Sequence, residues 1–284
     1  MGAPMVRRLA VAGYRLRVWN RSSAKADACR GPGIDVCRSP AEALQGVETV
    51  FLCLTDAKAV SDVLFTDPET LLRLGEVATV VDFSTIGMDA TLQFAGRLAN
   101  ASGGSWIDAP VSGGVAGATS GTLAMFVGGN GPSIERVFPA LRHLARCITH
   151  MGGVGTGQAT KLCNQLIVAS AFVAIAEAVS LAQYWNIAAE KLPDALAGGW
   201  ADSGALQIFG ARMAAVTDPG PTVSRLTTMY KDLVAIRTEA GVQALPVLAQ
   251  IMELFADQID AGYGEQDFPA LMNTYRVAAM GGRA

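Results

Sequence analysis

Residues 49–83, TVFLCLTDAKAVSDVLFTDPETLLRLGEVATVVDF, place two short apolar runs on either side of a helix-patterned segment. Residues 49–55 and 79–83 are continuous in apolar side chains instead of alternating, which is the pattern of strands buried on both faces. Asp56, between them, is placed to cap a helix. The same alternation extends outward. Pro4 and Gly13 bracket an apolar-periodic helix over residues 3–12, residues 14–20 alternate like a strand, and residues 22–29 turn helical again. Ser39, Pro40 and Glu42 have the order of a capped helix that stops at Gly46. Downstream, a helix over residues 88–100 precedes short strands at 106–109, 123–127 and 147–150. Strands and helices in this order predict a mostly parallel sheet covered on both faces.

From Gly157 the strand signal disappears. One helix of about 28 residues is followed by helical segments around 191–196, 206–216, 223–240, 246–261 and 268–279. The predicted organisation is an α/β, Rossmann-type doubly wound domain over residues 1–152 and an all-α domain over 153–284.

The composition narrows the function. About half of the 284 residues are hydrophobic and the formal charge is −3. Acidic and basic residues are interspersed, so nothing marks a partner that is nucleic acid or an anionic membrane. The apolar stretch 162–185 carries Asn164, Gln165 and Glu177, and reads as a buried helix, not a membrane span. The five cysteines are scattered and only two histidines occur, so neither a disulfide framework nor a metal site is expected. Cys53 and Cys163 lie in apolar stretches and are expected to be buried thiols. The cytoplasm is the expected compartment.

Open sheets of this kind bind dinucleotides over a glycine-rich turn between the first strand and the first helix. Met1-Gly2-Ala3-Pro4-Met5 reads as the tail of such a turn, with Gly2 its last glycine. The first strand is then missing, and the natural polypeptide is expected to start about ten residues upstream. The competing reading is a truncated protein without a cofactor. Asn20, Arg21 and Ser22 stand where an NAD enzyme of this fold has an acidic residue for the ribose. Their donors and positive charge favour a 2′-phosphate, hence NADP over NAD. A solvated strand-end loop is the plainer alternative.

Three further motifs give a specific resemblance. Met1 to Met5 with residues 13–22, then residues 108–114 (DAPVSGG) with Gly117 and Gly121-Thr122-Leu123, then residues 155–165 (GTGQATKLCNQ), resemble the β-hydroxyacid dehydrogenase family. Lys231-Asp232-Leu233 and Asp267-Phe268 match its C-terminal marks, so the likeness covers essentially the whole chain. It implies a nicotinamide-dependent oxidoreductase that reduces a small 3-oxo acid or semialdehyde, with Lys161 as general acid and base. Ser112, Gly113 and Gly114 would hold the substrate carboxylate, and Asn164 and Gln165 would orient its oxygens. Gln165, where many members have asparagine, resembles the tartronate semialdehyde reductase branch. Leu54, Thr55 and Asp56 after the third strand, Ser84 and Thr85 after the fourth, and Lys231 would contact the cofactor.

The residues support part of this independently. A Ser-Gly-Gly loop leaves backbone N–H groups uncovered for an anion, although a hairpin linker has the same look. Lys161 begins an apolar helix and has Asn164 and Gln165 on its face. Such a lysine either snorkels to water or, partly desolvated, supplies the proton that carbonyl reduction needs. Lys231 followed by aspartate is otherwise a solvated face, and Asp56 and Ser84 otherwise caps. Trp200 or Leu206 is expected to shape the pocket. The wide apolar surface of the long helix suggests a homodimer or homotetramer. The alternatives are an imine reductase-like enzyme, against which Lys161 speaks, and a non-catalytic binding module.

Overall fold

A computed structural model describes residues 1–215, 223–241 and 243–275. The chain divides into two compact units, Met1–Lys161 and Leu162–Ala284.

The first unit runs α1 (Gly2–Val11), β1 (Leu16–Val18), α2 (Ser23–Asp27), β2 (Ile34–Val36), α3 (Pro40–Leu44), β3 (Thr49–Leu52), α4 (Ala57–Leu64), α5 (Pro68–Leu74) and β4 (Thr79–Asp82). It continues with α6 (Met88–Ser102), β5 (Ser105–Asp108), β6 (Val111–Ser112), α7 (Gly114–Ser120), β7 (Leu123–Gly128), α8 (Gly131–Leu141) and β8 (Ala145–Gly152), and ends in the first turns of α9 (Thr156–Tyr184). β1 and β2 form a parallel pair of their own, while the larger sheet has the order β3-β4-β5-β7-β6, with β8 beside β7.

Local chemistry explains the helix starts. Asp56 Oδ1 accepts from the Ala59 N–H at 2.8 Å and Ser39 Oγ from the Glu42 N–H at 3.0 Å. Glu42 closes its box one residue early, with Oε2 accepting from the Arg38 N–H at 2.8 Å. Along the central strands the side chains part to two faces. Val81 and Ile107 join Met5, Leu9 and Met125 on one side, whereas Val80 and Trp106 join Val60, Leu64 and Leu98 on the other. This is why the runs are apolar throughout.

The sheet is mixed but mostly parallel, β7 and β8 being parallel as well. β3, β4 and β5 are parallel, but β7 runs antiparallel to both β5 and β6. Apolar continuity reports burial and carries no direction, so it could not show the reversal. β2, β6, α5, α7 and α8 are also additions to the predicted elements.

The second unit holds the rest of α9, then α10 (Leu192–Leu196), α11 (Gly204–Ala214), α12 (Leu226–Ala240) and α13 (Pro246–Gln258). The helix expected over 268–279 opens as a 3-10 turn at Phe268–Leu271. Residues 276–279 of that helix, and residue 216 of the one expected over 206–216, lie outside the described residues. Rings from α9, α11 and the 3-10 turn meet in the core: Phe172 stacks on Phe268 at 3.9 Å between centroids, and Phe209 stands edge-on to both. α9 is long and apolar enough to cross a membrane by length and composition. Here Ala169, Phe172, Ala176 and Val179 on it are buried in this core. Cys163 is exposed, contrary to expectation, and Cys53 is half-buried. On α9 residue 163 is turned about 200° from Lys161, so an apolar neighbourhood along the chain did not put it on the buried face.

Candidate active site

β4 and β5 each end in a buried aspartate, and the two are register partners, Asp82 beside Asp108. Asp108 turns its carboxylate onto the start of α9. Oδ1 accepts from the Gly155 N–H at 2.7 Å and Oδ2 from the Gln158 N–H at 2.8 Å. These are donors that the first turn of a helix leaves without partners, and the carboxylate sits at the positive end of the helix dipole. Burial pushes the Asp108 carboxyl up from its ordinary pKa while these N–H groups pull it down. Close approach depends on Gly157. A Cβ there would lie 2.5 Å from the Phe126 carbonyl oxygen and 2.7 Å from that of Asp108.

Asp82 is less well served. Oδ1 accepts from the Ser84 N–H at 2.9 Å, but Oδ2 has no hydrogen-bond partner among the described residues. Burial raises its pKa from 3.8 to about 7, with a smaller push from Asp108, against the hydrogen bonds from Ser84. A folded-state value above the unfolded one favours the protonated form. The linked stability is therefore fully present below about pH 4 and is lost as the pH rises through about 7. Asp82→Asn is expected to flatten that fall. Urea denaturation at a series of pH values checks it, and an unchanged slope contradicts the assignment.

Ser84 and Gln158 extend the network. Ser84 Oγ accepts from the Leu54 N–H at 2.8 Å, joining the ends of β3 and β4. Gln158, fully buried, donates through Nε2 to the Ser84 carbonyl at 2.7 Å and accepts at Oε1 from the Ile86 and Gly87 N–H groups at 3.1 and 3.3 Å. Lys161 follows on the same face of the helix and is only 8% exposed. Most of its side chain is therefore covered.

The other predicted residues of this unit lie at strand ends and helix starts. Gly2 is the first residue of α1, where a Cβ would come 3.6 Å from that of Cys53; Met1 provides no side-chain cap. Thr55 is exposed after β3 and Thr85 half-buried after β4. Asn20, Arg21 and Ser22 are exposed beyond β1, with Asn20 Oδ1 accepting from the Ser22 N–H at 2.9 Å. Ser112 is no loop residue: it lies in β6, opposite Ala124 of β7. Gly113 (φ 122°) and Gly114 (φ 61°) turn the chain from that strand into α7, in a backbone region that favours glycine.

In the second unit, Asn164, Gln165 and Lys231 gather around Asp232. Gln165 Nε2 donates to Asp232 Oδ2 at 2.6 Å, Asn164 Nδ2 donates to Gln165 Oε1 at 2.9 Å, and Lys231 Nζ lies 3.3 Å from Asp232 Oδ1. Asp232 is buried, so the pair is not simply a solvated face. Of the side chains expected to shape a pocket, Leu206 belongs to the core and Trp200 is fully exposed.

Sequence reasoning gave no role to Asp82, Asp108, Gln158 or Asp232. An aspartate closing a wholly apolar strand was a usable signal for the first two. The helical spacing of Asp232 from Met229 and Ile236, both buried, was one for the last. Gln158 lies inside the 155–165 motif, but its partners are more than 70 residues away in the chain, so the motif gave it no role.

Comparison with known proteins agrees with this architecture. A family model described as the NAD binding domain of 6-phosphogluconate dehydrogenase matches residues 1–153, and one described as the NAD-binding region of NADP-dependent 3-hydroxyisobutyrate dehydrogenase matches residues 155–275. The chain is 34% identical to the 2-hydroxy-3-oxopropionate reductase of Escherichia coli, covering 98% of this chain and 95% of that one. It is also 34% identical to a probable 3-hydroxyisobutyrate dehydrogenase of Mycobacterium tuberculosis, over 98% and 96%. A solved structure of the Mycobacterium tuberculosis 3-hydroxyisobutyrate dehydrogenase with L-serine superposes with a TM-score of 0.84 at 28% identity, over 97% and 96% of the two chains. With matches over nearly its whole length to proteins of one kind, the chain belongs to the β-hydroxyacid dehydrogenase family of NAD(P)-dependent oxidoreductases.

Proposed function

We propose that the protein reduces the carbonyl of a small 3-oxo acid or semialdehyde, tartronate semialdehyde or a close analogue, using NADPH, and catalyses the reverse oxidation of the 3-hydroxy acid. The observation that carries this reading is Lys161, a largely buried lysine on a helix start braced by Asp108 and Gln158. When bound, a nicotinamide cofactor would supply or accept the hydride. Lys161 Nζ then gives a proton to the carbonyl oxygen as it becomes a hydroxyl, and takes it back in the oxidative direction. Ser112, Gly113 and Gly114 are assigned to the substrate carboxylate, and Asn164 and Gln165 to its oxygens. The relatives support the substrate class: 2-hydroxy-3-oxopropionate and 3-hydroxyisobutyrate each carry a carboxylate two carbons from the reacting centre.

The residues present suit a dinucleotide. α1 begins without a side-chain cap, so its first turn would offer N–H groups to an anion, and Gly2 adds no side chain beside Cys53. Leu54, Thr55, Thr85 and Lys231 are assigned to the same cofactor. The preference for NADPH rests on Asn20, Arg21 and Ser22, exposed and without a carboxylate among them. Arg21→Ala is expected to weaken NADPH about tenfold, the loss of one charge-assisted contact, and to leave NADH nearly unchanged. Fluorescence titration with both cofactors reads this, and equal losses for the two would contradict it.

The activity itself is tested by following NADPH absorbance with tartronate semialdehyde and with the matching aldehyde that lacks a carboxylate. Turnover of the acid alone is expected. Equal kcat/KM for both would overturn the carboxylate assignment. We further place the functional division of the chain at residues 152 and 153 and the protein in the cytoplasm, which fractionation of the source cells checks. A homodimer or homotetramer would cover the exposed Ile167, Leu181 and Val247, and light scattering decides it.

A further inference from the structure

We infer that Gln158 is a positioning residue of the reaction, whose carboxamide holds the 84–87 loop, with Thr85 on it, against the helical turn that bears Lys161. The inference rests on the reading of Lys161 as proton donor and Thr85 as cofactor contact.

The side chain is fully buried and its amide is used at both ends. Nε2 donates to the carbonyl of Ser84, immediately before Thr85; Oε1 accepts from the N–H groups of Ile86 and Gly87, immediately after it. Both flanks of Thr85 are thus tied to one side chain. The backbone N–H of Gln158 is meanwhile held by Asp108 Oδ2 at the end of β5. Lys161 stands three residues further along, about 5 Å away on the same helix face. One amide therefore sets the spacing between the loop assigned to the cofactor and the amine assigned to the proton.

Such a spacing matters because the carbonyl carbon must meet a hydride while its oxygen meets a proton. A misplacement of about 1 Å at a reacting centre costs up to about a hundredfold in rate. No smaller or apolar side chain does the same work. Methionine has a similar length but neither donor nor acceptor to offer these three backbone groups. Glutamate keeps acceptors for Ile86 and Gly87 but sets an oxygen against the Ser84 carbonyl.

The test uses the full-length enzyme, with kcat expressed per cofactor-titrated site so that a loss of folded protein does not count. Gln158→Met is expected to lower kcat about 10- to 100-fold while the KM for the acid stays within about threefold. The isotope effect with deuterated NADPH should rise as hydride transfer becomes the slow step. Gln158→Glu is expected to fall in the same direction by a smaller factor, and carries the test alone if the methionine variant does not fold. A thermal midpoint that drops while kcat per site and the isotope effect stay at their original values would show a purely structural glutamine and overturn the inference. Lys161→Ala, assayed alongside, separates the two levels: if it keeps full turnover, the underlying reading fails; if it loses turnover while both Gln158 variants keep theirs, this inference alone fails.

Discussion

Lys161→Ala is expected to lower kcat by about 10²- to 10⁴-fold, the range supplied by a positioned general acid or base, with the dissociation constant for NADPH within about twofold of its original value. The helix start is held by Asp108 and Gln158 through backbone groups and the Gln158 amide. Truncating the lysine therefore removes the proton without removing the brace. Lys161→Arg should not restore activity. Its guanidinium retains charge and length, but stays protonated across the accessible pH range and cannot accept the hydroxyl proton during oxidation. Steady-state kinetics in both directions, together with the cofactor titration, distinguish these outcomes. An alanine variant with more than about a tenth of the original kcat is incompatible with proton transfer through this amine.

Asp108→Ala is expected to destabilise the folded chain by about 3 kcal/mol. Two buried N–H groups, those of Gly155 and Gln158, lose their acceptor, at about 1–3 kcal/mol each. Part of this is offset because the burial that pushes the Asp108 carboxyl up disappears with the side chain. Acceptor loss is the larger effect. Asp108→Asn keeps one acceptor oxygen and should lie about halfway. For a unit of this size the alanine change corresponds to roughly 10 °C in thermal midpoint. Equilibrium urea denaturation measures the difference, and an alanine variant as stable as the original would show that α9 is held by other contacts.

The fold was legible in the sequence wherever a pattern was long or chemically capped. The apolar runs at 49–55 and 79–83 correspond to β3 and β4, and Ser39 and Asp56 cap the helices that follow them. α7 was not legible, because GVAGATS has the composition of a loop and is helical only where Ala118 packs into the core. Three-residue β2 is too short to show a period. α8 is capped by Asn130 but carries Pro139 inside it, a residue that breaks the helical pattern of the sequence. α5, by contrast, had its Asp67 cap and following proline in plain view.

The candidate site divides in the same way. Lys161, Ser112 and Gln165 are candidates given by contiguous motifs, which also contain Asp108 and Gln158 without giving them a role. Asp108 and Gln158 act through partners 47 to 74 residues away. No local pattern encodes such a pairing. The misjudged cysteine belongs here as well: Cys163 shares its stretch with buried Leu162 and Gln165 but not their side of the helix.

Gly157 reverses a common rule of protein engineering. Inside an ordinary helix, exchanging glycine for alanine gains up to about 1 kcal/mol, because the unfolded chain loses freedom and the helix gains a better former. Here the incoming methyl would overlap two carbonyl oxygens and an Asp108 carboxylate oxygen, all within 2.8 Å of it. A thermostabilisation scheme that ranks positions by helical preference would therefore choose a site where a single added carbon must lift α9 from the strand ends and carry Lys161 away with it.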